Sequence, residues 1–134
     1  MTTQQTPPAF TAQAFADFWA DPDPEAITPE PFVPDVVGYW PDTEVHGVEA
    51  YTARLTKLLS LLPDLRLELG DYADNGEHIF VRWIMRATGR HGAFEIGGVD
   101  RIKVGPDGRI VENRIYFDTK RFERLSGYEL PSAG

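Results

Sequence analysis

The residue best placed to do chemistry is Asp100. In the stretch Phe94-Glu-Ile-Gly-Gly-Val-Asp-Arg-Ile-Lys-Val104, the residues Phe94, Ile96, Gly98, Asp100, Ile102 and Val104 alternate with Glu95, Gly97, Val99, Arg101 and Lys103. A period of two is the signature of a β-strand, and it gathers the first set on one face. That face is apolar except at Asp100. A carboxylate on a buried face is costly unless it is neutral or well paired. Apolar walls raise its pKa toward the working pH, which suits a general acid–base. Two other readings stay open: a structural carboxylate paired with Arg or backbone donors, or a register in which Asp100 faces water.

Few other residues join it. Asn113 falls on the inward face of the next strand, with Ile115, Phe117 and Val111, and is placed to orient Asp100 or a substrate carbonyl. His46 is a candidate second proton-transfer group at a site rim, although a His before Gly47 also reads as a loop or capping residue. Trp40, Trp83, Met85, Phe94, Ile115 and Phe117, with Phe15 and Phe18 from the first helix, are candidates to line an apolar substrate slot; the same residues also read as plain core.

Several chemistries lack their residues. His46, His78 and His91 show no His-x-x-x-His spacing and no Glu-bearing zinc motif, so no metal site is expected. Gly97-Gly98 and Gly105-x-x-Gly108 lie within or between strands rather than ahead of a helix, which is wrong for a phosphate loop. Gly-x-Ser-x-Gly is absent, and neither Ser60 nor Ser126 has an obvious base.

The elements that must position Asp100 follow from the pattern. A first helix is predicted over Thr11 to Ala20, with Phe10, Ala14, Phe15, Phe18 and Trp19 as its apolar stripe and Asp21-Pro22 as its stop. Asp23-Pro24-Glu25 reads as the start of a short helix. A strand over Asp35 to Trp40 sets Tyr39 and Trp40 on opposite faces. The clearest helix runs from Val48 to Leu62: Val48, Tyr51, Leu55, Leu58, Leu59 and Leu62 share a face, and Glu49, Arg54 and Lys57 point away. Four strands follow, from about Leu65, His78, Phe94 and Arg109, with Asp74-Asn-Gly76, Gly89-Arg-His-Gly92 and Gly105-Pro-Asp-Gly108 as turns. Asp118 caps a short last helix carrying Phe122 and Leu125. The fold class is α+β, with a curved antiparallel sheet packed against helices. Residues 10–127 form one domain, flanked by tails at 1–9 and 128–134.

Composition narrows the partners. The 134 residues suffice for one domain with a real core, and a hydrophobic fraction of 42% is ordinary for a globular protein. A net charge of -8 argues against nucleic acid or an anionic membrane as partner. There are no cysteines, which excludes disulfides and thiolate metal sites. With no apolar run near the ~20 residues of a membrane span and no signal-peptide pattern, a cytoplasmic location is expected.

Gly98-Val-Asp-Arg-Ile, followed by Gly105-Pro-Asp-Gly-Arg-Ile-Val-Glu-Asn-Arg-Ile-Tyr-Phe-Asp118, resembles the C-terminal hairpin of SnoaL-like proteins. These belong to the nuclear transport factor 2-like superfamily, with ketosteroid isomerases and limonene epoxide hydrolases. The helix start His46-Gly-Val-Glu-Ala-Tyr51 is similar to the same group, and the order of elements matches over about residues 10–125. The resemblance implies a cone: a bent, mainly antiparallel sheet wrapped around N-terminal helices, with an apolar pocket at its open end. It also implies a homodimer through the sheet. Asp100 falls where the SnoaL-like cyclases carry their acid–base aspartate, and where ketosteroid isomerases carry a protonated aspartic acid. The isomerase base falls near Trp40-Pro41 and its tyrosine donor near Phe15, so isomerisation by those residues is not expected. The epoxide-hydrolase Asp–Arg–Asp set falls near Trp83, Val81 and Ile115, and that activity is rejected. Without the usual partners of those two families, Asp100 is expected to act nearly alone.

Two functions follow. The first is a cofactor-free enzyme of cyclase or isomerase type, using Asp100 on a hydrophobic ketone or polyketide-like compound. The second is a non-catalytic ligand-binding or dimerisation module of the same fold, because a shared fold does not fix activity.

Overall fold

The computed structural model describes residues 9–129. The elements in chain order are α1 (Ala12–Ala20), β1 (Phe32–Trp40), β2 (Thr43–His46), α2 (Val48–Leu61), β3 (Arg66–Asp74), β4 (His78–Gly89), β5 (Gly92–Val104), β6 (Ile110–Tyr116) and α3 (Thr119–Ser126). A single 3-10 turn, Pro24–Ala26, lies between α1 and β1, with the Asp23 carboxylate accepting from the Glu25 N–H.

Local chemistry sets the boundaries. The Thr11 hydroxyl accepts from the Ala14 N–H and caps α1. Asp118 caps α3 in the same way through the Arg121 N–H, and Gly127, with φ +77°, ends that helix in the left-handed conformation. At the β3–β4 turn Gly76 has φ +92°, while the Asp74 and Asn75 side chains accept from the N–H groups of Gly76 and His78.

The six strands form one curved, unclosed sheet in the order β2-β1-β6-β5-β4-β3. Four neighbouring pairs are antiparallel, and β1 with β6 is parallel. The expected α+β class and wrapped sheet are therefore present. Three details differ from the sequence reading. β1 begins at Phe32, and its register with β6 shifts between Phe32 and Val37, where Pro34 has no N–H to give to a ladder. His46 ends a short edge strand, β2, whose four residues are too few to show alternation. In β6 the register shifts beside Val104, so Ile110 takes the inward place expected for Val111.

All three helices pack on the sheet: α1 against β3, α2 against β1 and β2, and α3 against β4 and β5. The core lies between these layers, from Val36, Leu62 and Leu65 through Val81, Ile102 and Phe122, all almost fully buried. Phe94 belongs to this core, edge-on to Phe122. The expected tails lie mostly outside the described residues. Tyr128 departs from that expectation: it packs half-buried against the core, with the Arg90 guanidinium 4.9 Å over its ring.

Candidate active site

Asp100 sits in the middle of β5, paired across to Val81 on β4 and Ile115 on β6. The next residues on the same face of those strands, two positions along, supply its partners. From β4, the Trp83 indole donates Nε1–H to Asp100 Oδ1 at 2.8 Å. From β6, Asn113 donates from Nδ2 to Asp100 Oδ2 at 3.1 Å. The same Asn113 nitrogen lies 2.9 Å from the Tyr51 hydroxyl, which α2 brings over the sheet. Asp100 and Asn113 are each 6% exposed, and Tyr51 is 3% exposed.

The electrostatics follow from this setting. Burial pushes the Asp100 carboxyl up to about 6, while the bonds from Trp83 and Asn113 pull the other way. No ion pair reaches Asp100 among the described residues. Its partners are two neutral donors, so it does not stand alone in the way the sequence suggested. Burial also raises the Tyr51 phenol well above its ordinary value, with the Asn113 hydrogen bond opposing and the Asp100 charge adding to the rise.

These residues form part of the wall of a cavity of about 270 Å³. That lies just below the ~300–1,000 Å³ usual for small-molecule sites. Phe15, Phe18 and Trp19 of α1 line one side, Tyr51, Arg54, Leu55 and Leu58 of α2 another, and Trp83, Met85, Asp100, Asn113 and Ile115 the sheet side. Trp40 and Phe117 also reach it. Asp100, Trp40, Trp83, Met85, Asn113, Ile115, Phe117, Phe15 and Phe18 are thus all brought to one space.

His46 is not brought there. Its side chain is exposed at the sheet edge, 3.3 Å from Glu44, because β2 continues through residue 46 and turns the ring outward. Arg54 corrects the sequence reading in the opposite direction. It lies one turn after Tyr51, at the border of the apolar stripe, and lines the cavity instead of pointing away. Its guanidinium lies 4.6 Å over the Trp40 ring and bonds Asp42 at 2.9 Å. Asp100 and Arg54 are the two charged residues of the lining among the described residues. In the sequence Tyr51 reads only as part of the apolar face of α2; the signal for more is its hydroxyl, which a buried tyrosine has to place.

A sequence profile described as the SnoaL-like domain matches residues 12–113. This chain belongs to the SnoaL-like family. No curated protein sequence matches this SnoaL-like chain. Several solved structures share its fold. TerC, crystallised with polyporic acid, has 20% identity and a TM-score of 0.73, covering 87% of this chain and 95% of its own. A protein from Catenulispora acidiphila with a ketosteroid isomerase-like fold, in complex with trimethylamine, has 14% identity and a TM-score of 0.73, covering 91% and 94%. A candidate SnoaL-like polyketide cyclase from Jannaschia sp. CCS1 has 17% identity and a TM-score of 0.66, covering 78% and 76%. At these identities the likeness establishes the fold.

Among the described residues no helix of this SnoaL-like domain is long and apolar enough to cross a membrane. Nor do three or more metal-ligating side chains gather there.

Proposed function

We propose that this chain is a cofactor-free enzyme of cyclase or isomerase type, in which Asp100 moves a proton on a small hydrophobic ketone or polyketide-like compound. The observation that carries this reading is a carboxylate buried in the wall of a largely apolar cavity, with its pKa raised to about 6 and no ion pair to it among the described residues. Near neutral pH such a group is mostly ionised yet basic enough to accept a proton from carbon. Trp83 and Asn113 offer it only N–H groups, so they hold the ionised, accepting form in place. Proton removal next to a carbonyl gives an enolate. That enolate closes a ring by attack on a second carbonyl, or takes the proton back at another carbon. The crystallisation of TerC with polyporic acid and the naming of the Jannaschia relative support a cyclic, oxygenated ligand.

The test is Asp100→Asn against a panel of polycyclic and polyketide-like ketones. Loss of turnover of about 10²–10⁴-fold, the usual worth of a general base, is expected. Unchanged turnover of a substrate converted by the wild type would refute the reading.

A second reading, a non-catalytic ligand-binding module, draws on one observation: both Asp100 oxygens already hold a protein donor, as in a structural carboxylate. Ligand binding without turnover across the panel would favour it. We also propose a homodimer through the outer sheet face, where Phe80 and Tyr116 are exposed beside Arg82, Arg101 and Arg114.

A further inference from the structure

We propose that the Tyr51 hydroxyl is the group that receives the carbonyl oxygen of the ligand, held ready for that bond by Asn113. The inference rests on the reading of the cavity as a carbonyl site and adds the residue that would hold the oxygen while Asp100 faces the neighbouring carbon.

The hydrogen-bond pattern of the buried trio leads to it. Asn113 has two amide hydrogens, and its Nδ2 reaches both Asp100 Oδ2 and the Tyr51 oxygen. Toward an ionised carboxylate the amide can present only its N–H side, since the opposite orientation would set one oxygen against another. The Tyr51 oxygen is therefore an acceptor in this contact. Its own proton meets no acceptor among the described residues. The residue is 3% exposed, so bulk water has little access to that proton. Tyr51 lines the cavity, and a ligand oxygen there completes its hydrogen bonding.

The ring is held firmly. It packs against Phe32 and Trp40 at centroid distances of 4.9 and 5.4 Å. A Cβ at Gly38 would sit 2.8 Å from the ring, so this residue has to be glycine for Tyr51 to lie where it does. Burial keeps the phenol protonated across the working pH range, so it remains a donor when Asp100 is ionised. Both oxygens bind one nitrogen, which places base and donor side by side, as a carbonyl and its α-carbon require. As charge develops on the substrate oxygen during proton removal, a donor fixed in a buried wall strengthens its bond without reorganising. The unpartnered Asn113 Oδ1 in the same wall gives a hydroxyl beside that carbonyl something to donate to. Hydroxy-ketones and enolised dicarbonyls match the pair better than a simple ketone.

The experiment uses the bicyclic ketone tetralone and its parent hydrocarbon tetralin with the full chain. Titration of the wild type is expected to show tetralone bound more tightly than tetralin by about three- to tenfold, the worth of one such bond. The infrared carbonyl stretch of bound tetralone should lie below its value in hexane. Tyr51→Phe, checked for folding by its melting curve, should erase both the preference and the shift. A hexane-like carbonyl stretch in the wild type, no binding of tetralone, or a preference that survives Tyr51→Phe overturns the proposal. The wild-type spectrum reads the bond without any variant. Failure here leaves the Asp100 reading intact, because that reading is tested by turnover of Asp100→Asn.

Discussion

Gly98 and Trp83 face each other across β4 and β5, and the indole lies over the bare Cα of the glycine. A methyl group at Gly98 would overlap the far edge of the Trp83 ring and sit 2.8 Å from the Tyr116 carbonyl oxygen. A glycine two residues before Asp100 thus lets its main hydrogen-bond donor lie flat.

Gly98→Ala is expected to push the indole off Asp100. Overpacking of this kind costs about 1–3 kcal/mol. Denaturant titration measures the loss, and the near-ultraviolet circular dichroism of the tryptophan should change with it. A variant as stable as the wild type with the same spectrum would contradict this account.

Trp83→Phe removes the indole N–H and leaves Asp100 Oδ1 without its donor. The charged form loses support, so the carboxyl rises further above its ordinary value than the wild type's level of about 6. Proton abstraction needs the ionised form. The acid limb of the kcat/KM profile, expected near pH 6 in the wild type, should move to higher pH in the variant and disappear in Asp100→Asn.

The same shift carries a signature in stability. A carboxyl raised from 3.8 to about 6 binds its proton more tightly in the folded chain than in the unfolded one. Its contribution is therefore full below the unfolded value and is lost as pH rises through the folded value. The size of the loss is about 3 kcal/mol, spread between pH 4 and 7. Wild-type stability, measured by urea titration at several pH values, should carry this fall, and Asp100→Asn should lack it. Parallel curves for the two proteins would show that the carboxyl is not perturbed.

The outer sheet face predicts the state of assembly. Phe80 and Tyr116 are 38% and 51% exposed there. Sedimentation of the wild type is expected to give a dimer, and Phe80→Glu a monomer with an unchanged fold. A wild-type monomer at micromolar concentration would remove the proposal of a sheet-mediated homodimer.

Much of this arrangement is legible in the sequence. Alternation in residues 94–104 puts Asp100 inward because the strand period of two leaves no freedom once its neighbours are apolar. The helical spacing in residues 48–62 gives α2, and the turns after Asp74, Gly89 and Gly105 give the antiparallel order of β3 to β6. Periodicity also places Trp83, Met85 and Ile115 on the faces that line the cavity.

The contacts across the fold required the tertiary structure. The parallel pairing of β1 with β6 joins segments some seventy residues apart in sequence, and no local pattern encodes it. A register shift replaces Val111 with Ile110, a one-residue change that periodicity cannot anticipate. Arg54 turned inward because Asp42 and Trp40 meet it there, and His46 turned outward because an edge strand was too short to read. Above all, Asp100 looks isolated in the sequence because its two donors, Trp83 and Asn113, and the Tyr51 hydroxyl that also accepts from Asn113, are distant from it in the chain. Period and polarity decide which face a side chain takes. Which groups then meet depends on strand order and helix placement, and the proton chemistry of Asp100 depends on those meetings.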